Sequence, residues 1–169
     1  SVLTVGTDVA GALALARQNH IVHGDVKAGN VLITESGRAK LTDFGISRSP
    51  SDGRSGAWSA GSLSALSPEQ LLGKPLDERA DLFALGCLLY RMLCGEQPFH
   101  RNGTLDPELL LKRDPKPMAE IVTGDVELPD PLVAIISALL QKDPAKRPAN
   151  TRRVRQVLRT VMRTLPMST

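Results

Sequence analysis

Two cysteines are all the chain has among its 169 residues, and neither finds a partner. Cys87 and Cys94 lie seven positions apart in a mainly apolar run. On a helix that is about two turns, which puts both on one face but too far apart to bond. Two buried thiols in a reducing compartment is the simplest account. The three histidines, His20, His23 and His100, form no metal cluster with them, since neither cysteine has the short partner spacing of a zinc site. Long hydrophobic runs are also missing. The richest, Leu132 to Leu140, is nine residues and includes Ser137, well short of the roughly 20 needed to cross a bilayer. No signal peptide is visible. These absences predict a cytoplasmic chain, or the cytoplasmic domain of a larger parent, with no membrane segment in this stretch.

Charge of one sign is not in large excess either. The 21 Lys and Arg against 18 Asp and Glu leave a formal net charge of +3, which points to no particular partner. Eight of those basic residues fall between Lys142 and the C-terminal end, against one acid, Asp143. That stripe reads as a solvated helix face, or as a contact for an acidic protein, a lipid or another segment. No nucleic-acid motif accompanies it, and nucleic acid is not an expected partner.

What remains is ordinary globular composition, 41% hydrophobic and 23% charged, in a length that suits one domain or a large part of one. Residues 7–18 read as a helix capped by Thr7 or Asp8, with Val9, Ala12, Leu13 and Ala16 as its apolar stripe. Ile21-Val22, Val31–Ile33 and Ala39–Thr42 are β-like runs, and Ser36-Gly37 between the last two predicts a hairpin. Residues 46–67, rich in Ser and Gly, read as a long surface loop of the kind that usually carries function. Leu82, Phe83, Leu85, Gly86, Leu88, Leu89 and Leu93 are apolar nearly all round, which predicts a central helix closed by Gly95. Residues 101–130 are polar and proline-rich, with short helices expected at 107–112 and 115–122. A helix follows from Asp130-Pro131 to Gln141. The last spans roughly 150–165, with Val154, Val157, Leu158, Val161, Met162 and Leu165 buried and Arg155, Arg159 and Arg163 on its outer side.

The densest polar cluster is His23-Gly-Asp25-Val-Lys27-Ala-Gly-Asn30, with Asp43-Phe44-Gly45 beginning eighteen residues after Asp25. A carboxylate, a lysine and an amide share one tight loop, and the hairpin brings a second carboxylate back toward Asn30. Phosphoryl transfer needs these groups. A carboxylate orients or accepts the proton of an attacking hydroxyl, a lysine neutralises developing negative charge, and Asn and Asp offer hard oxygen ligands to magnesium. Most of the catalytic effect would come from positioning and charge. The bland alternative is that Asp25 and Asp43 cap turns.

Residues 23–30 resemble the catalytic loop of protein kinases, and 43–45 resemble that family's magnesium-binding Asp-Phe-Gly. Ser67-Pro-Glu69 resembles the Ala-Pro-Glu that ends the activation segment, Gly61-Ser62 stands where the family has Gly-Thr, and Asp81-Leu-Phe-Ala-Leu-Gly86 resembles the start of its buried central helix. Five landmarks in order, over nearly the whole chain, are far more specific than any triplet. The resemblance implies a mainly α fold with a small β-hairpin region: a kinase large lobe over 1–169, with catalytic loop 23–30, activation segment 43–69 and helical subdomain 70–165. It implies Asp25 as catalytic base, Lys27 on the terminal phosphate, Asn30 and Asp43 on magnesium (or manganese), and Leu32 beneath the adenine of ATP. His23 and Phe44 would join the hydrophobic column between lobes, with no chemical role for His23. Ser62 would shape the acceptor site, Asp81 would hold the catalytic-loop backbone, and Glu69 would pair with Arg147. Lys27 two residues after Asp25 resembles the serine/threonine branch, so the expected partner is a protein carrying a Ser or Thr acceptor.

Departures from the family pattern carry their own expectations. Gly24 replaces the arginine that receives an activation-loop phosphate, which predicts weak dependence on loop phosphorylation. His23-Gly-Asp25 also resembles small-molecule kinases of the aminoglycoside type. Ala65 stands where tyrosine is common, and Ser47, Ser49, Ser51, Ser55, Ser59, Ser62 and Ser64 are candidate phosphate acceptors or ordinary loop residues. Residues 1–20 hold no glycine-rich loop, strand lysine or helix glutamate. The expectation is therefore a large lobe without its small lobe, weak or inactive alone: part of an ordinary kinase whose small lobe lies upstream, a lobe completed by a separate small lobe, or a scaffold. Self-association through the uncovered Leu32 and Phe44 is also expected.

Overall fold

The computed structural model describes residues 1–44, 65–122 and 127–165. Expectations for Gly45, for Gly61 and Ser62, and for the loop serines between 47 and 64 lie outside the described residues. The architecture is mainly helical with two small hairpins. Helix α1 (Val2–Gln18) leads through a 3-10 turn at Ala28–Asn30 to β1 (Val31–Ile33) and β2 (Ala39–Leu41). Then come α2 (Pro68–Leu71), α3 (Glu78–Cys94), β3 (His100–Arg101), β4 (Thr104–Leu105), α4 (Pro107–Lys112), α5 (Met118–Ile121), α6 (Asp130–Leu139) and α7 (Thr151–Thr164). Among the described residues no helix is long and apolar enough to cross a membrane.

Helix α3 is the axis of the core. Every residue from Ala80 to Tyr90 is buried, as its all-round apolar pattern predicts. Asp77 caps its start by accepting from the Arg79 N–H, and Gly95 closes it. α1 and α6 pack against α3, and α7 against α1 and α6. Leu82, Phe83, Leu85 and Leu89 of α3 meet Val9, Ile136, Leu139, Val154 and Leu158 in one cluster. Burying each Leu or Phe contributes about 1.5–3 kcal/mol.

Gly86 decides how closely α3 and α6 approach. A Cβ there would lie 2.8 Å from the Leu139 Cβ and 3.0 Å from Leu140 Cδ2. Gly86→Ala should therefore overpack this crossing and cost about 1–3 kcal/mol. Urea unfolding would check it, and an unchanged midpoint would refute the close approach.

Several boundaries differ from the sequence expectation. α1 begins five residues before position 7, capped by Ser1, whose side chain accepts from the Thr4 N–H. Thr7 is buried inside the helix. Asp8 instead accepts from Arg38 Nε and the Ala39 N–H, both at 2.9 Å, and from an Arg38 terminal nitrogen at 2.7 Å. The Arg38 guanidinium accordingly holds the Asp8 carboxyl below its ordinary value. That anchor seats the β1–β2 hairpin on α1. Val22 makes only an isolated bridge.

The stretch expected to be loop and short helices after residue 100 also holds the β3–β4 hairpin, with Arg101 paired to Thr104. Its turn residues Asn102 and Gly103 have φ of 52° and 79°, the two left-handed positions of a type I′ turn. On α7, Met162 and Leu165 are exposed rather than buried. Arg155 lies inward, its guanidinium carbon 3.5 Å from where a Cβ on Gly11 would stand. Cys94 is only half-buried, while Cys87 is buried.

Candidate active site

The loop at residues 23–30 is held from beneath by the central helix. Asp81, in the first turn of α3, accepts from the His23 N–H and the Gly24 N–H, each at 2.8 Å, one on each carboxylate oxygen. Burial pushes the Asp81 carboxyl up to about 6, against the pull of those two donors. His23 is fully buried. Its Nδ1 accepts from the Asp25 N–H at 3.2 Å, so the ring proton sits on Nε2, which donates to the Thr42 carbonyl at 2.9 Å. Both nitrogens are committed to backbone, as suits a structural histidine. Phe44 lies edge-on to it, with ring centroids 4.6 Å apart.

The Asp25 carboxylate gathers the polar groups of the loop. Its Oδ2 lies 2.9 Å from Lys27 Nζ and accepts from Asn30 Nδ2 at 3.0 Å. The same Nδ2 donates to the Asp25 carbonyl at 2.8 Å. Among the described residues both side-chain contacts fall on Oδ2. Asn30 is buried, and with its nitrogen committed to Asp25, its Oδ1 is the atom suited to a cation.

The hairpin returns the chain to Asn30. The Thr42 N–H and hydroxyl both donate to the Asn30 carbonyl, at 2.8 and 3.1 Å. The next residue, Asp43, is exposed with φ of 61°, a left-handed conformation that aspartate enters more readily than most residues. Among the described residues no group of three or more His, Cys, Asp or Glu could hold a metal. Asn30 and Asp43 supply two hard oxygens, a donor set that fits magnesium, which keeps waters and binds phosphate oxygens for the rest of its shell. Leu32 and Ile33 of β1 are 58% and 59% exposed and Phe44 is 37% exposed, so apolar side chains stand open to solvent near the polar cluster.

Across the loop, Arg147 and Glu69 form a buried two-pronged pair, with nitrogen–oxygen distances of 2.6 and 2.8 Å. Arg147 also donates to the carbonyls of Arg79, Gln141 and Lys142. This joins α2 to the start of α3 and the segment before α7.

Sequence reasoning missed Gln70. Its Oε1 accepts from the Ser67 N–H at 2.8 Å and its Nε2 donates to the Gly24 carbonyl at 3.3 Å. The first bond was readable, because Ser-x-x-Gln is a capping-box pattern. The second depends on tertiary approach and has no local signature. The roles of Asp8 and Thr42 were missed for the same reason.

Comparison with known proteins accords with this geometry. The family model described as protein kinase domain matches residues 3–160. The chain is 34% identical over 149 residues to the serine/threonine-protein kinase PknB of Mycobacterium leprae, covering 86% of this chain and 24% of that protein. It is 36% identical over 153 residues to PknB of Mycobacterium tuberculosis, covering 88% and 23%. It is 35% identical over 147 residues to a probable serine/threonine-protein kinase of Clostridium perfringens, covering 86% and 21%. The chain therefore spans under a quarter of the length of these curated relatives. With a family match along nearly its whole length and the loop, hairpin and central helix in matching order, the chain belongs to the protein kinase family.

Proposed function

We propose that this chain is the large-lobe part of a serine/threonine protein kinase domain, with catalytic loop 23–30, activation segment 43–69 and helical subdomain 70–165. In the complete protein it would transfer the γ-phosphoryl group of ATP to a protein hydroxyl. The observation that carries this reading is Asp25 itself. Its Oδ2 is held by Lys27 and Asn30, and the backbone just before it is pinned by Asp81, which leaves Oδ1 available for an acceptor hydroxyl.

Asp25 then orients the acceptor hydroxyl and takes its proton at Oδ1. Lys27 reaches the transferring phosphate, and Asn30 Oδ1 with Asp43 would hold magnesium or manganese. Bound Mg-ATP supplies the phosphoryl group and neutralises charge along it. His23 and Phe44 meet edge to face and keep the hairpin end against the loop. Leu32 offers its apolar face to the adenine, and Gly45 and Ser62 keep the roles that the family resemblance implies. Leu32 and Phe44 would be covered by the small lobe of the domain, in the same chain or a separate one, or else by a second copy. Use of ATP makes the cytoplasm the working compartment.

The test is transfer from labelled Mg-ATP to a basic protein substrate by the complete protein, with chelation of the metal as control. Metal-dependent labelling of Ser or Thr is expected. Nucleotide binding without transfer would favour a scaffold, and labelling of a small hydroxyl compound alone would favour a small-molecule kinase.

Gly24 adds a regulatory expectation. With no side chain there to receive a phosphate from the activation segment, phosphatase treatment of the active protein should change its rate less than about 3-fold, since such switches act through new charge-assisted bonds. A large loss on dephosphorylation would contradict this.

A further inference from the structure

Gln70 is used at both ends of its side chain. It is 5% exposed and stands at the third position of α2. Its Oε1 takes the Ser67 N–H at 2.8 Å while Ser67 Oγ takes the Gln70 N–H at 3.3 Å. Those two bonds complete the helix cap. The cap has no need of Nε2, which reaches out of α2 to the Gly24 carbonyl at 3.3 Å.

That carbonyl belongs to the same peptide group as the Asp25 N–H. The N–H end donates to His23 Nδ1 at 3.2 Å. One peptide plane is thus held at its oxygen by Gln70 and at its nitrogen by His23. The preceding plane is held through the Gly24 N–H by Asp81 at 2.8 Å. The residue joining the two planes is a glycine with φ of 77°, and a Cβ there would meet nothing within 4 Å. With no side chain at position 24, rotation of the second plane is less restrained by local sterics than at other residues. Its hydrogen bonds hold it in place. Rotating that plane swings the Asp25 Cα and turns its carboxylate away from Lys27 and Asn30.

We propose that Gln70 is a positioning residue whose amide clamps the Gly24–Asp25 peptide and so couples the aim of the Asp25 carboxylate to the cap at Ser67. This rests on the kinase reading above, in which Asp25 must present one oxygen to the acceptor hydroxyl. A neutral bond of 3.3 Å adds little to global stability. Its effect is on geometry, where a small misplacement of a catalytic group is costly.

Gln70→Glu separates the two roles. The variant keeps an oxygen for the Ser67 N–H, and an anion in the first turn of a helix is favourable, so the cap survives. It has no donor for the Gly24 carbonyl. In the complete protein, at a pH that keeps the new carboxyl ionised, the expected result is a thermal midpoint lowered less than in Gln70→Leu despite the buried charge, KM for ATP and for peptide unchanged, and kcat lowered about 10- to 100-fold. Amide exchange at Asp25 should accelerate. Gln70→Leu removes cap and clamp together and should lower the thermal midpoint as well as kcat. Equal damage from both variants in midpoint and kcat would assign Gln70 to the cap alone and overturn the proposal, as would wild-type kcat and wild-type Asp25 exchange in Gln70→Glu. If the wild-type protein transfers no phosphate, the kinase reading fails on its own, and Asp25 exchange still decides whether the clamp exists.

Discussion

In the complete protein, Asp25→Asn should lower the proposed phosphoryl transfer by about 10²- to 10⁴-fold, the usual worth of a positioned general base, and leave the fold in place. Asparagine keeps the shape of the side chain and one oxygen. Turned toward Asn30, that oxygen still accepts the Nδ2 hydrogen bond now made at 3.0 Å. The amide nitrogen then occupies the position of Oδ1, where it can neither take a proton nor accept a hydrogen bond from the acceptor hydroxyl. Lys27 loses its carboxylate partner at 2.9 Å, but its side chain is 23% exposed and water replaces part of the interaction. The stranded partner is the more exposed member of the pair, the Asp25 side chain being 7% exposed, so the stability change should stay near about 1 kcal/mol.

The groups proposed to hold magnesium, Asn30 Oδ1 and Asp43, are untouched, so KM for ATP should hold while kcat falls. That split separates loss of a base from loss of nucleotide binding. A variant retaining a tenth or more of the wild-type rate would remove Asp25 from the chemistry. The Asp25 and Asp43 pair would then be turn caps, the alternative its sequence context left open.

How much of this was legible in the chain depended on whether the cause was local. Helix α3 could be read from its own residues, because an all-round apolar pattern ending in glycine has one comfortable place in a fold. The β1–β2 hairpin could be read the same way, from Ser36-Gly37 between two β-like runs. The start of α1 was misread because Thr7 and Asp8 look like caps only when the rest of the molecule is ignored. Asp8 is claimed by Arg38 and the Ala39 N–H, about 30 residues onward, and Ser1 takes the cap. The β3–β4 hairpin was overlooked although Asn102-Gly103 is a strong local signal, because the surrounding prolines made the stretch look like loop. Met162 and Leu165 continue the apolar spacing of α7 past the point where the neighbouring helices cover it. In the site, the grouping of Asp25, Lys27 and Asn30 was readable from their closeness in sequence. The grip of Asp81 and the pairing of Glu69 with Arg147 were accessible only through family resemblance, since 58 and 78 residues separate the partners. The outward reach of Gln70 had neither route.

Arg147→Met should be the most destabilising of the changes considered, by about 3–5 kcal/mol, because removing one partner of a buried ion pair strands the other. Glu69 is 7% exposed, and without Arg147 its carboxylate loses contacts at 2.6 and 2.8 Å with no water to replace them. Three backbone carbonyls, of Arg79, Gln141 and Lys142, lose a donor at the same time. The guanidinium carbon also sits 4.8 Å from the Phe83 ring centroid, so packing onto the central helix is lost with the charge. Methionine fills part of the space and satisfies none of the polar groups. Against a typical total stability of about 5–15 kcal/mol, such a loss leaves the variant close to unfolding at 37 °C. Glu69→Gln should cost less, since the three carbonyls keep their donor and the amide oxygen keeps one prong. A double variant, Glu69→Leu with Arg147→Met, should recover part of the loss by removing the stranded charge. Urea unfolding of the wild type, Glu69→Leu, Arg147→Met and the double variant gives the coupling directly. A cost below about 1 kcal/mol for Arg147→Met would mean that water reaches Glu69 and that the pair is not the buried joint described. If the joint is real, its loss should also reach the catalytic loop. Glu69 is bonded in sequence to Gln70, so loosening α2 at Glu69 frees the amide that holds the Gly24 carbonyl. Amide exchange at Asp25 in Arg147→Met should then rise at urea concentrations too low to unfold the whole domain.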